Sequence, residues 1–266
     1  KCYHHFDSTP LNTNTGGITM TIEEAIQLAE NGDIGAMMAL GQHYFQQNTG
    51  EGISKAAEWY EAAAKQNVVL AIHLTVICKK ILAYAGLQIT EHDEFGAQFA
   101  MNDWKEVYDW AAKELECINA EVEGTEKLNI DDALNNFTET SYFYALTCYW
   151  ADRFSDVTAL LSDFDDTRSK ILFGAALIQL AETNTQMANA MSILTPIIKD
   201  TSYAAADKGA WEEDVYALTA LQLSMLYKNN GSQSDMESAV SLLNFVLRAV
   251  KNENNIAILR SELNHY

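Results

Sequence analysis

One frame constrains this chain more than any other feature. From Asn31 to Ile72 it reads Asn-Gly-Asp-Ile-Gly-Ala-Met-Met-Ala-Leu-Gly-Gln-His-Tyr, a glycine-containing loop, then Lys55-Ala-Ala-Glu-Trp-Tyr-Glu-Ala-Ala-Ala-Lys-Gln-Asn. Ala36, Leu40, Gly41 and Tyr44 fall at i, i+4, i+5 and i+8, on one side of a helix. A glycine inside a helix costs about 1 kcal/mol relative to alanine. Gly41 is therefore expected where a second helix packs against bare backbone. Gly50 and Gly52 mark a loop, and a second helix starts near Ile53 with Ala56, Trp59 or Tyr60, Ala63 and Ala64 on its small face. Such a pair cannot bury both its faces alone and needs stacked neighbours. The frame returns near the C-terminus: Leu223, Ser224, Tyr227 and Ala239 stand for Leu40, Gly41, Tyr44 and Ala56 at one offset of 183 residues (40 to 223, 56 to 239). Asn229-Asn230-Gly231-Ser232 stands for the loop Asn48-Thr49-Gly50.

The run Ala36-x-x-x-Leu40-Gly41-x-x-Tyr44, the glycine loop and Lys55-Ala-Ala-Glu-Trp-Tyr-x-x-Ala-Ala-x-x-Asn67 resembles a Sel-one-like repeat, a longer-looped relative of the tetratricopeptide repeat. The resemblance is carried by residues 31–67 and again by 212–250. Between them it is only to generic tetratricopeptide-like hairpins. It implies an all-α fold, a right-handed α-α superhelix (solenoid) of stacked antiparallel helix hairpins that acts as a protein-interaction scaffold. It implies no enzyme activity and supplies no catalytic residues.

Composition bounds the rest. The net charge of −20 repels phosphate backbones, so no nucleic-acid partner is expected; the charge suits solubility alone, or a protein or peptide partner that is basic. Only two prolines, Pro10 and Pro196, leave room for long helices. No run of about 20 apolar residues is evident, so no membrane span is expected. Cys2, Cys78, Cys117 and Cys148 form no CxxC pair, which removes the zinc and thioredoxin-like readings. The secreted relatives with a cysteine pair in each repeat are not matched. Isolated cysteines on apolar helix faces behave as small hydrophobes, and a reducing cytoplasm is expected.

Residues 1–19, with Pro10, Gly16 and Gly17, read as an arm or leader outside the pattern, and residues 20–266 as a single helical-repeat domain. Thr21-Ile-Glu-Glu24 is a capping box that opens the first helix, which stops at Asn31-Gly32. The hairpin 34–47 with 53–66 follows, then a helix from Val68 to about Gly86. Residues 88–102 read as an insertion, with Glu91, Asp93 and Glu94 on a surface loop or short helix, and Asp103 as the cap of a helix carrying Trp104, Val107, Trp110 and Leu115. Asp131 opens a helix to Cys148, with Ala145 at the glycine position. The hairpin 167–182 with 187–199 crosses at Gly174. The last hairpin pairs 212–228 with 235–250, with a capping box at Ser234-x-x-Glu237. A closing helix at 253–264 turns Ile256, Ile258, Leu259 and Leu263 inward.

No nucleophile elbow, phosphate loop or dinucleotide fingerprint occurs. His43 and His73 have no third ligand at metal spacing, so no metal or cofactor is expected. The acidic pairs Glu23-Glu24, Asp131-Asp132, Asp165-Asp166 and Glu212-Glu213 point to different helix faces and sit at helix starts, where exposed amide groups stabilise carboxylates. The function the resemblance implies is a non-catalytic scaffold that binds a peptide or partner helix in a concave groove lined by the first helices of successive hairpins. Its outward strip is Met38, Gln42, Phe45 and Gln46, then His73, Ile77 and Lys80, then Tyr142, Tyr149 and Trp150. The alternative is an exported small-molecule or peptidoglycan-fragment binding protein or hydrolase.

Overall fold

The computed structural model describes residues 11–12, 19–89 and 94–266. Leu11–Asn12 (β1) pairs antiparallel with Thr19–Met20 (β2), Leu11 facing Met20 and Asn12 facing Thr19. This two-residue ladder stands where only loop is expected, and among the described residues every later regular element is a helix. The helices are α1 (Ile22–Glu30), α2 (Ile34–Gln46), α3 (Gly50–Ala64), α4 (Val69–Ile89), α5 (Glu94–Asn119), α6 (Ile130–Trp150), α7 (Phe154–Leu161), α8 (Thr167–Leu180), α9 (Asn184–Ile197), α10 (Thr201–Ala205), α11 (Ala210–Asn230), α12 (Gln233–Leu247) and α13 (Glu253–Leu263). A 3-10 turn, Thr125–Lys127, precedes α6. The described residues divide into two compact units: residues up to 90 with 99–140 in the first, 91–98 with 141–266 in the second.

In the first unit each helix packs on the next, α1 on α2, α2 on α3 and α3 on α4. The Thr21 capping box forms as expected, with the Glu24 carboxylate accepting from Thr21 N at 2.9 Å, and Gly32 takes the left-handed turn after α1 at φ +93°. At Gly41 a Cβ would lie 2.5 Å from the Tyr60 ring, so the missing side chain is what admits α3. Tyr60, rather than Trp59, is the buried aromatic. Gly50 and Gly52 are corrections. They form the first turn of α3, because the Thr49 hydroxyl accepts from Gly52 N at 3.0 Å and starts the helix early. Gly52 also lets the Tyr44 carbonyl oxygen come within 2.7 Å of where a Cβ would be, which ties the end of α2 to the start of α3 antiparallel.

The expected insertion at 88–102 is likewise mostly helix. Ala97, Ala100, Met101, Trp104, Val107 and Ala111 are buried at helical spacing, which carries α5 through Asp103. That residue is internal and caps nothing; Glu91, His92 and Asp93 lie outside the described residues. The opener of α6 is Asn129, whose Oδ1 accepts from Asp131 N at 3.1 Å.

In the second unit α7 packs on α8, α8 on both α9 and α11, α11 on α12, and α13 on α11 and α12. Leu194 sits 2.6 Å from a Cβ built on Gly174, the same device as Gly41 with Tyr60. Ala145 and Ser224, at the matching positions, are fully buried. The cap of α12 is Ser232 with Asp235, two residues before the expected box. In α13, Leu259 is buried and Ile256 and Leu263 pack against the same cluster, whereas Ile258 faces solvent. Asn255 takes the inward place through a 2.7 Å bond from its Nδ2 to Asp214.

Candidate functional site

The expected strip falls partly in each unit, and each part is described by itself. In the first unit, Met38, Gln42, Phe45 and Gln46 come from α2. Gln42 and Gln46 are exposed; Met38 and Phe45 are half-buried and, with Leu74 and Leu82 of α4, pack against the cluster of Ile53, Ala56, Ala57, Tyr60 and Cys78. Ile77 is half-buried on α4.

His73 and Lys80 do not stand free. His73 Nδ1 lies 2.6 Å from the Glu114 carboxylate, which is fully buried; its second oxygen finds no hydrogen bond among the described residues. Lys80 Nζ donates to Glu139 at 2.8 Å and to Asn136 at 2.7 Å, and the Tyr84 hydroxyl donates to the other Glu139 oxygen at 2.5 Å. Lys79 bridges Glu61 at 2.8 Å and Glu106 at 2.7 Å. Burial works against the Lys79 ammonium, but its hydrogen bonds to Glu106 and Glu61 outweigh it and hold its pKa above the ordinary value. These polar groups fasten α4 to α3, α5 and α6, so His73 and Lys80 serve the fold before they could serve a partner.

Ile77 belongs to a longer apolar row on α4, of which the strip holds no other member. Leu70, Leu74, Ile77 and Ile81 recur at i, i+4, i+7 and i+11. They lie opposite the buried row Val69, Ile72, Val76, Ala83 and Leu87. Leu70 is 40% exposed and Ile81 42%. The signal was readable: a helix apolar on every side is normally buried all round, and this one is not. By length and composition α4 is also long and apolar enough to cross a membrane. Its two central lysines, however, are engaged in the ion pairs just described.

In the second unit two of the three expected residues are interior. Tyr142 is 2% exposed and Tyr149 5%, so neither ring is presented to a partner. Tyr142 lies beneath the Arg168 guanidinium, 4.4 Å from its ring centre. Burial pushes the Tyr142 and Tyr203 hydroxyls well above their ordinary pKa. Burial also raises the Glu212 carboxyl, against the lowering pull of a hydrogen bond from Tyr203 and of the Arg168 and Lys208 charges. Trp150 is half-buried; its indole N–H donates to the Trp211 carbonyl at 3.3 Å and its ring meets that of Trp211 edge-on. Dense aromatic sequence on α6 therefore builds core. The neighbouring Glu213, expected to stabilise its own helix start, instead accepts from the backbone N–H groups of Lys251 at 2.8 Å and Asn252 at 2.6 Å, and so holds the start of α13.

The described residues include no group of three or more His, Cys, Asp or Glu side chains placed to hold a metal. Burial pushes the Cys78 thiol up to about 12 and the Cys148 thiol to about 11, the opposite of what an activated nucleophile needs. No protein-family model matches the chain, and no curated protein matches it.

Proposed function

We propose that this chain is a non-catalytic interaction scaffold of the Sel-one-like, tetratricopeptide type, a right-handed solenoid of helix hairpins. Its first unit binds a peptide or partner helix on the face of α2 and α4, with a basic partner suiting the charge. The reading is supported by the glycine-to-aromatic approach of Gly41 and Tyr60 within the repeat frame and by its counterpart at Gly174. The observation that carries it is the α4 row Leu70, Ile77 and Ile81, of which Leu70 and Ile81 are exposed and Ile77 is half-buried, beside the half-buried Met38 and Phe45. Surfaces of this kind mark interaction sites, and apolar anchors at helical spacing suit a helix or extended peptide. Cys78, Cys117 and Cys148 are unpaired thiols, in keeping with a reducing compartment.

The test compares capture from native extract by the full chain and by its Phe45→Ala and Ile77→Glu variants. Truncating or charging an apolar anchor should lower retention of a bound partner by about tenfold or more, with helicity unchanged by circular dichroism. A partner retained equally by all three would reject this face.

A further inference from the structure

The first unit holds a second opening that the α2 and α4 face does not use. Between α5 and the start of α6 lies a groove of about 520 Å³, lined by Ala112, Leu115, Glu116, Asn119, Ala120 and Phe137. Its floor is apolar: Phe137 packs 5.6 Å from the Tyr108 ring, with Leu115 and Ala112 beside it. The apolar surface continues along α6, because Ile130 and Leu134 precede Phe137 at helical spacing and are 54% and 47% exposed. The surrounding chain is strongly acidic. Between residues 116 and 132 stand Glu116, Glu121, Glu123, Glu126, Asp131 and Asp132 against a single base, Lys127. Glu116, Glu121, Glu123, Asp131 and Asp132 are exposed and in no ion pair among the described residues. The nearby cations are committed elsewhere, Lys105 to Asp109 at 2.6 Å and Lys113 over the Trp110 ring.

We propose that this groove is a docking site for a basic amphipathic helix of a partner protein. The helix would lay its apolar side chains over Leu115, Leu134 and Phe137 and its lysines or arginines against the acidic rim. The charge selects the occupant. A second copy would bring another −20 chain against the rim, and an anionic membrane surface or nucleic acid would meet the same repulsion. A neutral peptide would leave the rim carboxylates unanswered. Apolar anchors at i, i+4 and i+7 read the helix, and the rim fixes its charge.

The probe is a labelled synthetic peptide of leucine and lysine, about 18 residues or five turns long, apolar along one helical face. It is titrated by fluorescence anisotropy into the full chain at low and high salt. A scrambled peptide of the same composition has no continuous apolar face. The designed peptide should bind with a defined stoichiometry and at least about tenfold more tightly than the scrambled one. Leu134→Glu, at an exposed position the fold does not need, should weaken binding at least about tenfold, since it removes an apolar contact worth more than one decade. Glu116→Lys, on the groove wall, should weaken it and flatten its salt dependence. Ile77→Glu should change nothing here, which separates this groove from the α4 face. Equal binding of both peptides means diffuse adsorption to an acidic chain and overturns the proposal. So do absent binding, or a loss caused by Ile77→Glu and not by Leu134→Glu.

Discussion

Replacing Gly41 by alanine tests the central contact directly. The new Cβ would stand 2.5, 2.6 and 2.8 Å from Cε1, Cδ1 and Cζ of Tyr60. Carbon atoms settle at about 3.5–4.0 Å, so the ring must withdraw by about 1 Å. It has nowhere to go: Tyr60 is 4% exposed and packed among Ile53, Ala56, Ala57 and Cys78. Overpacking of this kind costs about 1–3 kcal/mol, and a ring held on all sides belongs in the upper half of that range. Alanine recovers about 1 kcal/mol of helix propensity, leaving a net loss of about 1–2 kcal/mol. Urea unfolding followed by far-ultraviolet circular dichroism measures it as a lower midpoint at unchanged slope. In a Tyr60→Ala background the same substitution enters vacated space and should stabilise by about 1 kcal/mol, so the two changes couple by roughly 2–3 kcal/mol. Gly50→Ala, where nothing lies within 4 Å of the added carbon, should be neutral or slightly stabilising. A Gly41→Ala chain as stable as the parent, or one still destabilised without the Tyr60 ring, would refute the close-approach argument.

Three further outcomes follow from the buried polar groups. His73→Ala leaves the fully buried Glu114 carboxylate without its partner and should cost about 3–5 kcal/mol; His73→Ala with Glu114→Leu should recover most of it, and equal losses in the two denaturation curves would rule this out. Glu213→Ala removes the acceptor for two backbone N–H groups at the start of α13, a loss of about 2–3 kcal/mol for a charge-assisted site. Hydrogen exchange should quicken in α13 while α8 and α9 stay protected. For Glu212, burial lifts the folded pKa above the ordinary 4.5, so the native state holds that proton more tightly than the unfolded chain. Its contribution is complete below pH 4.5 and fades as pH rises through the folded value. Glu212→Gln should remove that downward slope from a plot of unfolding free energy against pH, and an unaltered slope would exclude Glu212 as its source.

Much of the helical layout was legible because helices announce themselves locally. The Thr21 box, the Asn31-Gly32 stop and the small residues at 41, 145, 174 and 224 are short-range signals, and each occupies the place expected of it. The errors are also local in origin. Gly50 and Gly52 look like loop, yet a threonine cap three residues ahead of a close carbonyl approach makes them helix. Residues 94–102 read locally as an insertion, although Ala97, Ala100 and Met101 carry the period of the helix that contains them. Ser234 offered a capping pattern, but Ser232 reached the unpaired amides first.

The site was less legible than the fold, for a different reason. On α6 the sequence places aromatics on every side, and nothing local distinguishes a ring that meets solvent from one that meets Arg168 and Glu212 across the core. His73 and Lys80 face outward by helical counting, yet each is claimed by a carboxylate 41 or 59 residues away in sequence. Sequence alone determined that this chain is a series of helices with small-residue crossing points and a heavy excess of negative charge, since propensity, capping and charge are properties of neighbours along the chain. Only the tertiary structure decided that the contacts fall in two units, that Tyr142 and Tyr149 are interior, and that Leu70 and Ile81 of α4 stay exposed. Burial and pairing are set by residues that meet in space after long loops close, and no window of sequence contains both partners.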